Sequence, residues 1–268
     1  METSAPPICL TIAGLDPSGG AGIIADIKTF SAFGCFPTAV ISSLTFQNTS
    51  GVFGAVHQTA ESVRGQLRPV LEDLQIAAVK TGMLPTAESI GVIASAVEEF
   101  SLANLVVDPV VRSTSGFDLI DDAALKFLTE NLFQLSVLVT PNLPEAERIT
   151  RMKIESDRDI ETAARIMQEL GATNVLIKGG HSYDRAEKSD GRKARDFLFI
   201  GTALTILEAD LIETTATHGT GCTLSAAIVA NLALGNGLVS AVQTAKNFVT
   251  EAIRSSPNIG HGNSPINI

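Results

Sequence analysis

The 268-residue sequence has no tryptophan, one tyrosine and three cysteines. The cysteines, Cys9, Cys35 and Cys222, are odd in number and far apart, and no Cys-x-x-Cys pair occurs. A disulfide framework is therefore excluded, and a reducing compartment, the cytoplasm, is the expected location. Basic residues are also short: 19 Lys+Arg against 29 Asp+Glu leave a formal net charge of -10. Nucleic acid is not expected as a partner, because binding its backbone needs concentrated positive charge. A small phosphorylated ligand stays open, since it needs only a few placed cations and backbone N–H groups. No apolar run approaches the roughly 18 residues of a membrane span. The start, Met1-Glu2-Thr3-Ser4-Ala5-Pro6-Pro7, lacks both the basic and the apolar region of a secretory signal.

What is present is aliphatic. Hydrophobic residues make up 45% and charged residues 18% of the chain, enough for a sizeable core in one domain over 1–268. Residues 1–7 and 255–268 read as peripheral tails. Short apolar strands are expected at Ile8–Ala13, Pro37–Phe46, Ile76–Val79, Asn104–Val107, Ser136–Val139 and Asn174–Ile177. Helical stretches are expected at Ile23–Phe33, Ala60–Leu74, Thr86–Phe100, Asp121–Phe133, Ser156–Leu170, Cys222–Leu234 and Val239–Arg254. Strands alternating with longer helices predict a mostly parallel sheet covered on both faces. The polar stretch His181–Arg195 breaks the rhythm and precedes two extended segments, Asp196–Ile200 and Ala203–Leu207, that suit an antiparallel hairpin.

Several loops carry chemistry. Asp16-Pro17-Ser18-Gly19-Gly20-Ala21-Gly22 lies between a strand and a helix, as either a ligand loop or a tight turn. Asp108 follows one strand, and Asn142 and Glu145 follow another. In a parallel sheet they converge on one edge, as oxygen ligands suited to Mg²⁺. Taken alone, Glu145 reads rather as a carboxylate at a helix start, where Pro144 suits the first turn. Lys178 ends a strand before Gly179 and Gly180, as a phosphate contact or a solvated lysine. His57, His181, His218 and His261 show no metal or triad spacing. The strongest signal is Thr217-His218-Gly219-Thr220-Gly221-Cys222, where N–H groups of Gly219, Thr220, Gly221 and Cys222 can face an anion at a helix start. A glycine turn with a small buried cysteine is the plainer reading.

Taken in order, these motifs resemble the hydroxymethylpyrimidine/phosphomethylpyrimidine kinases of thiamine biosynthesis, in the ribokinase-like superfamily. The resemblance runs from about Ile8 to Arg254 and includes Gln47-Asn48-Thr49, Lys80-Thr81-Gly82-Met83, Asp108-Pro109-Val110 and Lys178-Gly179-Gly180-His181. It implies a three-layer α/β/α sandwich with a small flap hairpin, ATP and Mg²⁺ as cofactors, and a homodimer. It implies two successive phosphorylations of 4-amino-5-hydroxymethyl-2-methylpyrimidine. The implied pyrimidine site is Gly14, Asp26, Gln47, Met83 and Val110. The implied phosphate and metal side is Asp108, Asn142, Glu145, Lys178, Thr220 and Lys246, with Gly219, Thr220 and Gly221 as the anion hole and 181–195 as a flap near ATP. Three positions depart from the family's habit: Phe46 for a small residue, Thr81 for Ile and Val111 for Met.

A helix start and nearby cations lower a thiol's pKa, so Cys222 is expected to be the base for the first phosphorylation. The second step uses an anionic phosphate oxygen and needs no such base. The nearest alternative implied by the resemblance is a pyridoxine or pyridoxal kinase. A sugar kinase fits less well, because those relatives usually have Asp where Cys222 stands. A non-catalytic pyrimidine-binding regulator would not need the whole set of Asp108, Glu145, Lys178 and the anion loop.

Overall fold

A computed structural model describes residues 5–113, 116–179 and 193–268. The segment 181–192, most of the expected flap, and residues 1–4 of the expected first tail lie outside the described residues. Among the described residues, nine strands form one sheet in the order β3-β2-β1-β4-β5-β6-β7-β8-β9. They are β1 Ile8–Leu15, β2 Phe36–Asn48, β3 Gly51–His57, β4 Ile76–Thr81, β5 Leu105–Val107, β6 Leu138–Val139, β7 Asn174–Lys178, β8 Lys193–Ile200 and β9 Ala203–Asp210. The six from β2 to β7 run parallel, while β3, β8 and β9 are antiparallel to their neighbours.

Helices cover both faces. On one side lie α2 Ala60–Asp73, α3 Ala87–Glu99, α4 Asp122–Leu132, α5 Leu143–Thr150 and α6 Asp157–Glu169; on the other lie α1 Gly22–Ala32, α7 Thr220–Ala233 and α8 Leu238–Arg254. Strand pleating feeds the two cores alternately. Leu105 and Val107 enter the first core and Val106 the second; Val175 and Ile177 enter the first and Leu176 the second. Both faces are dry, which is why these strands read as continuous apolar runs rather than alternating ones. No helix among the described residues is long and apolar enough to cross a membrane.

The expected layers and hairpin are found, with four differences. β2 runs on to Asn48 and turns at once into β3, which sequence reading missed because Gly51 and Gly54 weaken the strand pattern. α5, of which only the start at Pro144 and Glu145 was expected, opens with an Asn142–Glu145 capping box and runs on to Thr150. Lys193–Arg195, read as the end of the polar flap, already belongs to β8. Finally, 255–268, expected as a peripheral tail, is exposed over 257–262 but buried at Ser264, Pro265 and Ile266 against the glycine loops.

Candidate active site

The parallel strands deliver their polar residues to one edge, at their carboxyl ends, where open α/β sheets place ligands. Gly14 comes from β1, Lys80 and the following Met83 from β4, and Lys178 from β7. Asp108 follows β5, and Thr140 and Asn142 follow β6. All but Thr140 border a cleft of about 1000 Å³. Of the expected residues, Gly14, Gln47, Met83, Val110, Asp108, Asn142, Glu145, Lys178, Gly219, Thr220, Gly221, Cys222 and Lys246 line this cleft.

The wall expected to hold the pyrimidine is shaped by a glycine and one sulfur. A Cβ on Gly14 would stand 3.0 Å from the Met83 Sδ, so glycine there gives the methionine its place on the wall. The register of β2 against β3 shifts between Phe46 and Gln47, a bulge beside the residue that faces the cleft. Phe46 neither narrows the cleft nor joins the core: it is 54% exposed and lies over Gly54. Val111 is buried and its N–H donates to Glu145.

Asp26, expected in the pyrimidine site, lies elsewhere. It does not border the cleft but sits fully buried beneath it, where Lys80 Nζ (2.8 Å) and Thr11 Oγ1 (2.6 Å) donate to its Oδ2. Burial raises the Asp26 carboxyl's pKa, against the lowering effect of Lys80. The Lys80 ammonium is fully buried too; burial works against its charge, yet Asp26 holds its pKa above the ordinary value. Lys80, rather than Asp26, borders the cleft. Its signal in the sequence was a lysine inside the otherwise apolar strand β4, which a core strand tolerates only with a partner.

Two further lysine–aspartate pairs stand along the same cleft. Lys178 Nζ donates to Asp108 Oδ1 at 2.8 Å, and Thr140 Oγ1 (3.0 Å) and Ser225 Oγ (3.1 Å) also donate to Asp108. Lys246 Nζ donates to Asp196 Oδ2 at 2.6 Å, while the Gly179 N–H takes the other carboxylate oxygen at 3.1 Å. Lys178 is buried against its charge, but Asp108 and Glu145 keep its pKa raised.

Glu145 occupies both positions the sequence left open. It borders the cleft, and it also closes the start of α5: its Oε2 accepts from the Asn142 N–H at 2.8 Å while the Asn142 side chain accepts the Glu145 N–H at 2.9 Å. Burial, opposed by Lys178 and reinforced by the Asp108 charge, pushes its carboxyl up to about 7. A divalent cation between Asp108 and Glu145 would relieve that strain. No group of three or more acidic, His or Cys side chains able to hold a metal occurs among the described residues. Mg²⁺ needs no such cage, since it takes one or two carboxylates beside water and phosphate oxygens, so the residues present fit it.

The second glycine loop is held by the first. Asp16 Oδ1 accepts from the Ser18 N–H (2.8 Å) and Oγ (2.7 Å), and Oδ2 from the Gly20 (3.2 Å) and Ala21 (2.9 Å) N–H groups. His218 Nε2 reaches the same oxygen at 2.8 Å. Burial opposes the charge of Asp16, but these donors outweigh it and lower its pKa, so the carboxylate accepts and Nε2 carries the hydrogen. Gly219 then sits at φ 87°, and a Cβ on it would fall 1.8 Å from the Gly20 carbonyl oxygen. Only glycine satisfies both conditions. Neither Asp16 nor His218 was singled out from the sequence.

Helix α7 begins at Thr220 without a side-chain cap. The Thr220 N–H is spent on the Thr217 carbonyl at 3.3 Å, so it is not the free donor expected; the Gly221 and Cys222 N–H groups have no hydrogen-bond partner among the described residues. A Cβ at Gly221 would meet only the Lys178 ammonium, at 3.3 Å. Two open N–H groups, a helix dipole and a buried lysine thus converge on one point. The Cys222 thiol beside them is not acidic, contrary to expectation. Burial dominates and, despite the nearby Lys80 ammonium, pushes it up to about 11.

A three-layer α/β/α sandwich whose cleft joins an apolar pocket to a cation-lined anion loop defines a ribokinase-like small-molecule kinase. Comparison with known proteins narrows this. The family model for phosphomethylpyrimidine kinase matches residues 16–267. A hydroxymethylpyrimidine/phosphomethylpyrimidine kinase of Haemophilus influenzae is 44% identical over 260 residues, 96% of this chain and 95% of the relative. The crystal structure of a Clostridium difficile phosphomethylpyrimidine kinase is 39% identical with a TM-score of 0.79, covering 92% of this chain and 99% of that one. An ADP complex of Bacillus subtilis pyridoxal kinase superposes with a TM-score of 0.88 at 34% identity, over 98% of this chain and 97% of that one. The chain belongs to the phosphomethylpyrimidine kinase family. Shape alone does not separate it from the pyridoxal kinases; sequence does.

Proposed function

We propose that the protein transfers phosphoryl groups from ATP to 4-amino-5-hydroxymethyl-2-methylpyrimidine and then to the resulting monophosphate, in thiamine biosynthesis in the cytoplasm, as a single kinase domain. The observation that carries this reading is the cleft itself. Gln47, Met83 and Val110 line the same cleft as Lys178 and the open N–H groups of Gly221 and Cys222.

In the first step the hydroxymethyl oxygen attacks the γ-phosphorus of ATP. A bond from that oxygen to phosphorus forms, the bond from phosphorus to the β–γ bridging oxygen breaks, and ADP leaves. The hydroxymethyl proton passes to the Cys222 thiolate. Phosphoryl transfer is loose, so positioning and charge neutralisation carry most of the catalysis. Lys178 and the start of α7 hold the transferring group, and Lys246 holds the nucleotide phosphates beside Asn142. Mg²⁺, held by Asp108 and Glu145, would supply further neutralisation of phosphate charge. In the second step a phosphate oxygen of the monophosphate attacks, and no proton needs removing.

The exposed Leu44, Phe46, Phe53 and Val56, gathered on the β2–β3 hairpin, support a homodimer through this face. The catalytic reading is tested by ADP release with the hydroxymethylpyrimidine, its monophosphate, pyridoxal and ribose in parallel. Turnover is expected with the first two. Turnover of pyridoxal alone would reassign the substrate, and tight pyrimidine binding without any turnover would make the protein a sensor.

A further inference from the structure

Residues 255–268 join the β2–β3 turn beyond Gln47 to His218, the residue before the 219–222 loop. At one end they grip Thr49, in the β2–β3 turn two residues beyond Gln47. The Asn263 N–H donates to the Thr49 carbonyl at 2.8 Å, and the His261 and Gly262 N–H groups lie 3.2 and 3.3 Å from Thr49 Oγ1. The approach is close enough to require glycine: a Cβ on Gly262 would stand 2.1 Å from the Thr49 carbonyl oxygen.

At the other end the same segment pairs with the residue that opens the anion loop. Pro265 forms a parallel bridge with His218; the His218 N–H donates to the Ser264 carbonyl and the Ile266 N–H to the His218 carbonyl, both at 3.4 Å. Pro265 also closes on the first glycine loop, where a Cβ on Gly20 would meet its Cβ at 2.9 Å. His218 is therefore held by its side chain through Asp16 and by its backbone through 264–266. The segment is anchored in turn to α8, with the Asn267 N–H on the Ala252 carbonyl at 3.0 Å.

We propose that residues 260–266 are a positioning strap: they fix the distance between the pyrimidine wall at Gln47 and the phosphate loop at 219–222. Transfer between two bound molecules is sensitive to that distance, and a 1 Å misplacement can cost about 100-fold in rate. No direct contact between β2 and α7 is needed, because the strap holds Thr49, two residues beyond Gln47, and His218, three residues before Gly221. The proposal rests on the reading of Gln47 and of the 219–222 loop given above.

The test uses the full chain and four variants. Gly262→Ala loosens the Thr49 end, and Ile266→Pro removes the N–H that holds His218. Gln47→Ala and Gly221→Val report on the two sites directly. Melting temperature, both KM values, kcat, and ADP released per pyrimidine phosphorylated are measured on each.

Gly262→Ala is expected to raise KM for the pyrimidine several-fold with KM for ATP unchanged. Ile266→Pro should lower kcat by up to about 100-fold. Both should release more ADP than phosphorylated pyrimidine, because water takes the misaligned phosphoryl group. A segment that merely stabilises the fold would lower the melting temperature and the active fraction, leaving KM and coupling unchanged; that result overturns the strap. If Ile266→Pro does not fold, Gly262→Ala decides alone. Normal kinetics in Gln47→Ala and Gly221→Val would overturn the site reading, and the strap with it. Impairment there, alongside parental kinetics in the strap variants, would overturn the strap only.

Discussion

Replacing Cys222 by alanine separates the two phosphorylations by their dependence on pH. The thiol is raised from 9.0 to about 11, so it is protonated at neutral pH. At pH 7.5 the gap is about 3.5 units; only about 3 molecules in 10,000 carry the thiolate, at a cost of about 5 kcal/mol. A base with so high a pKa is strong but scarce, and its use has a signature. The rate of the first step should rise about tenfold per pH unit from 6.5 to 9.5, with no plateau until the thiol titrates. In Cys222→Ala that slope should vanish and the rate at pH 9.5 should fall furthest below the parent. The second step should be nearly flat above pH 7 in both proteins, since the acceptor phosphate, with its second pKa at about 6, is already ionised. Single-turnover ADP formation with the pyrimidine or its monophosphate, each saturating, measures the two profiles separately. A flat first-step profile in the parent, or equal losses in both steps on substitution, would refute Cys222 as the proton acceptor and leave it a packing role.

Three other perturbations test the remaining assignments. Glu145 binds its proton more tightly folded than unfolded, since its pKa is raised from 4.5 to about 7. The stability it contributes is therefore full below pH 4.5 and lost as pH rises through about 7. Glu145→Gln should be neutral or stabilising at pH 8, by an amount on the order of 3 kcal/mol at most. It should also abolish the extra thermal stabilisation that Mg²⁺ adds to ADP; an unchanged Mg²⁺ effect would remove Glu145 from the metal site. Asp26→Ala leaves the Lys80 ammonium buried without its partner, so denaturant unfolding should show a loss of about 3–5 kcal/mol. Unchanged stability with a raised pyrimidine KM would instead restore Asp26 as a substrate contact. Phe46→Lys with Phe53→Lys should convert a dimer to a monomer in sedimentation; a parent that is monomeric at every concentration would refute the hairpin interface.

The layers were legible because both faces of the sheet are dry: runs such as Ile8–Ala13 and Asn104–Val107 can only be buried strands. The glycine loops were legible as motifs, because a backbone that approaches another as closely as Gly219 approaches Gly20 admits one residue type. Pairing was not legible. Nothing local to Lys80 says that Asp26, 54 positions away, neutralises it, nor that His218 reaches back 202 positions to Asp16. The Cys222 error has the same origin. Helix position is local and favours a thiolate, whereas burial is a property of everything packed around it. Residues 255–268 were misjudged because Pro, Gly, Asn and Ser are loop formers wherever they lie, including in a segment pressed against the site.

The three buried lysine–aspartate pairs explain how a chain of net charge -10 can accept a polyanion. Each ammonium is brought to the cleft with a carboxylate behind it, so the three pairs add little net charge, and the pKa values of Lys80 and Lys178 stay raised despite burial. On the proposed reading, an arriving phosphate would meet Lys178 and Lys246 already held at fixed positions by Asp108 and Asp196, with little side-chain freedom left to lose on binding. The attraction is short-ranged, because each Asp cancels its lysine's field a few ångströms away. Steering by the protein's overall field, which is repulsive for ATP, thus adds nothing to association. Raising ionic strength should consequently leave kcat/KM for ATP unchanged or increase it as repulsion is screened. A steep fall with salt would show that the lysines act as a long-range positive patch, against the pairing seen at Asp108 and Asp196.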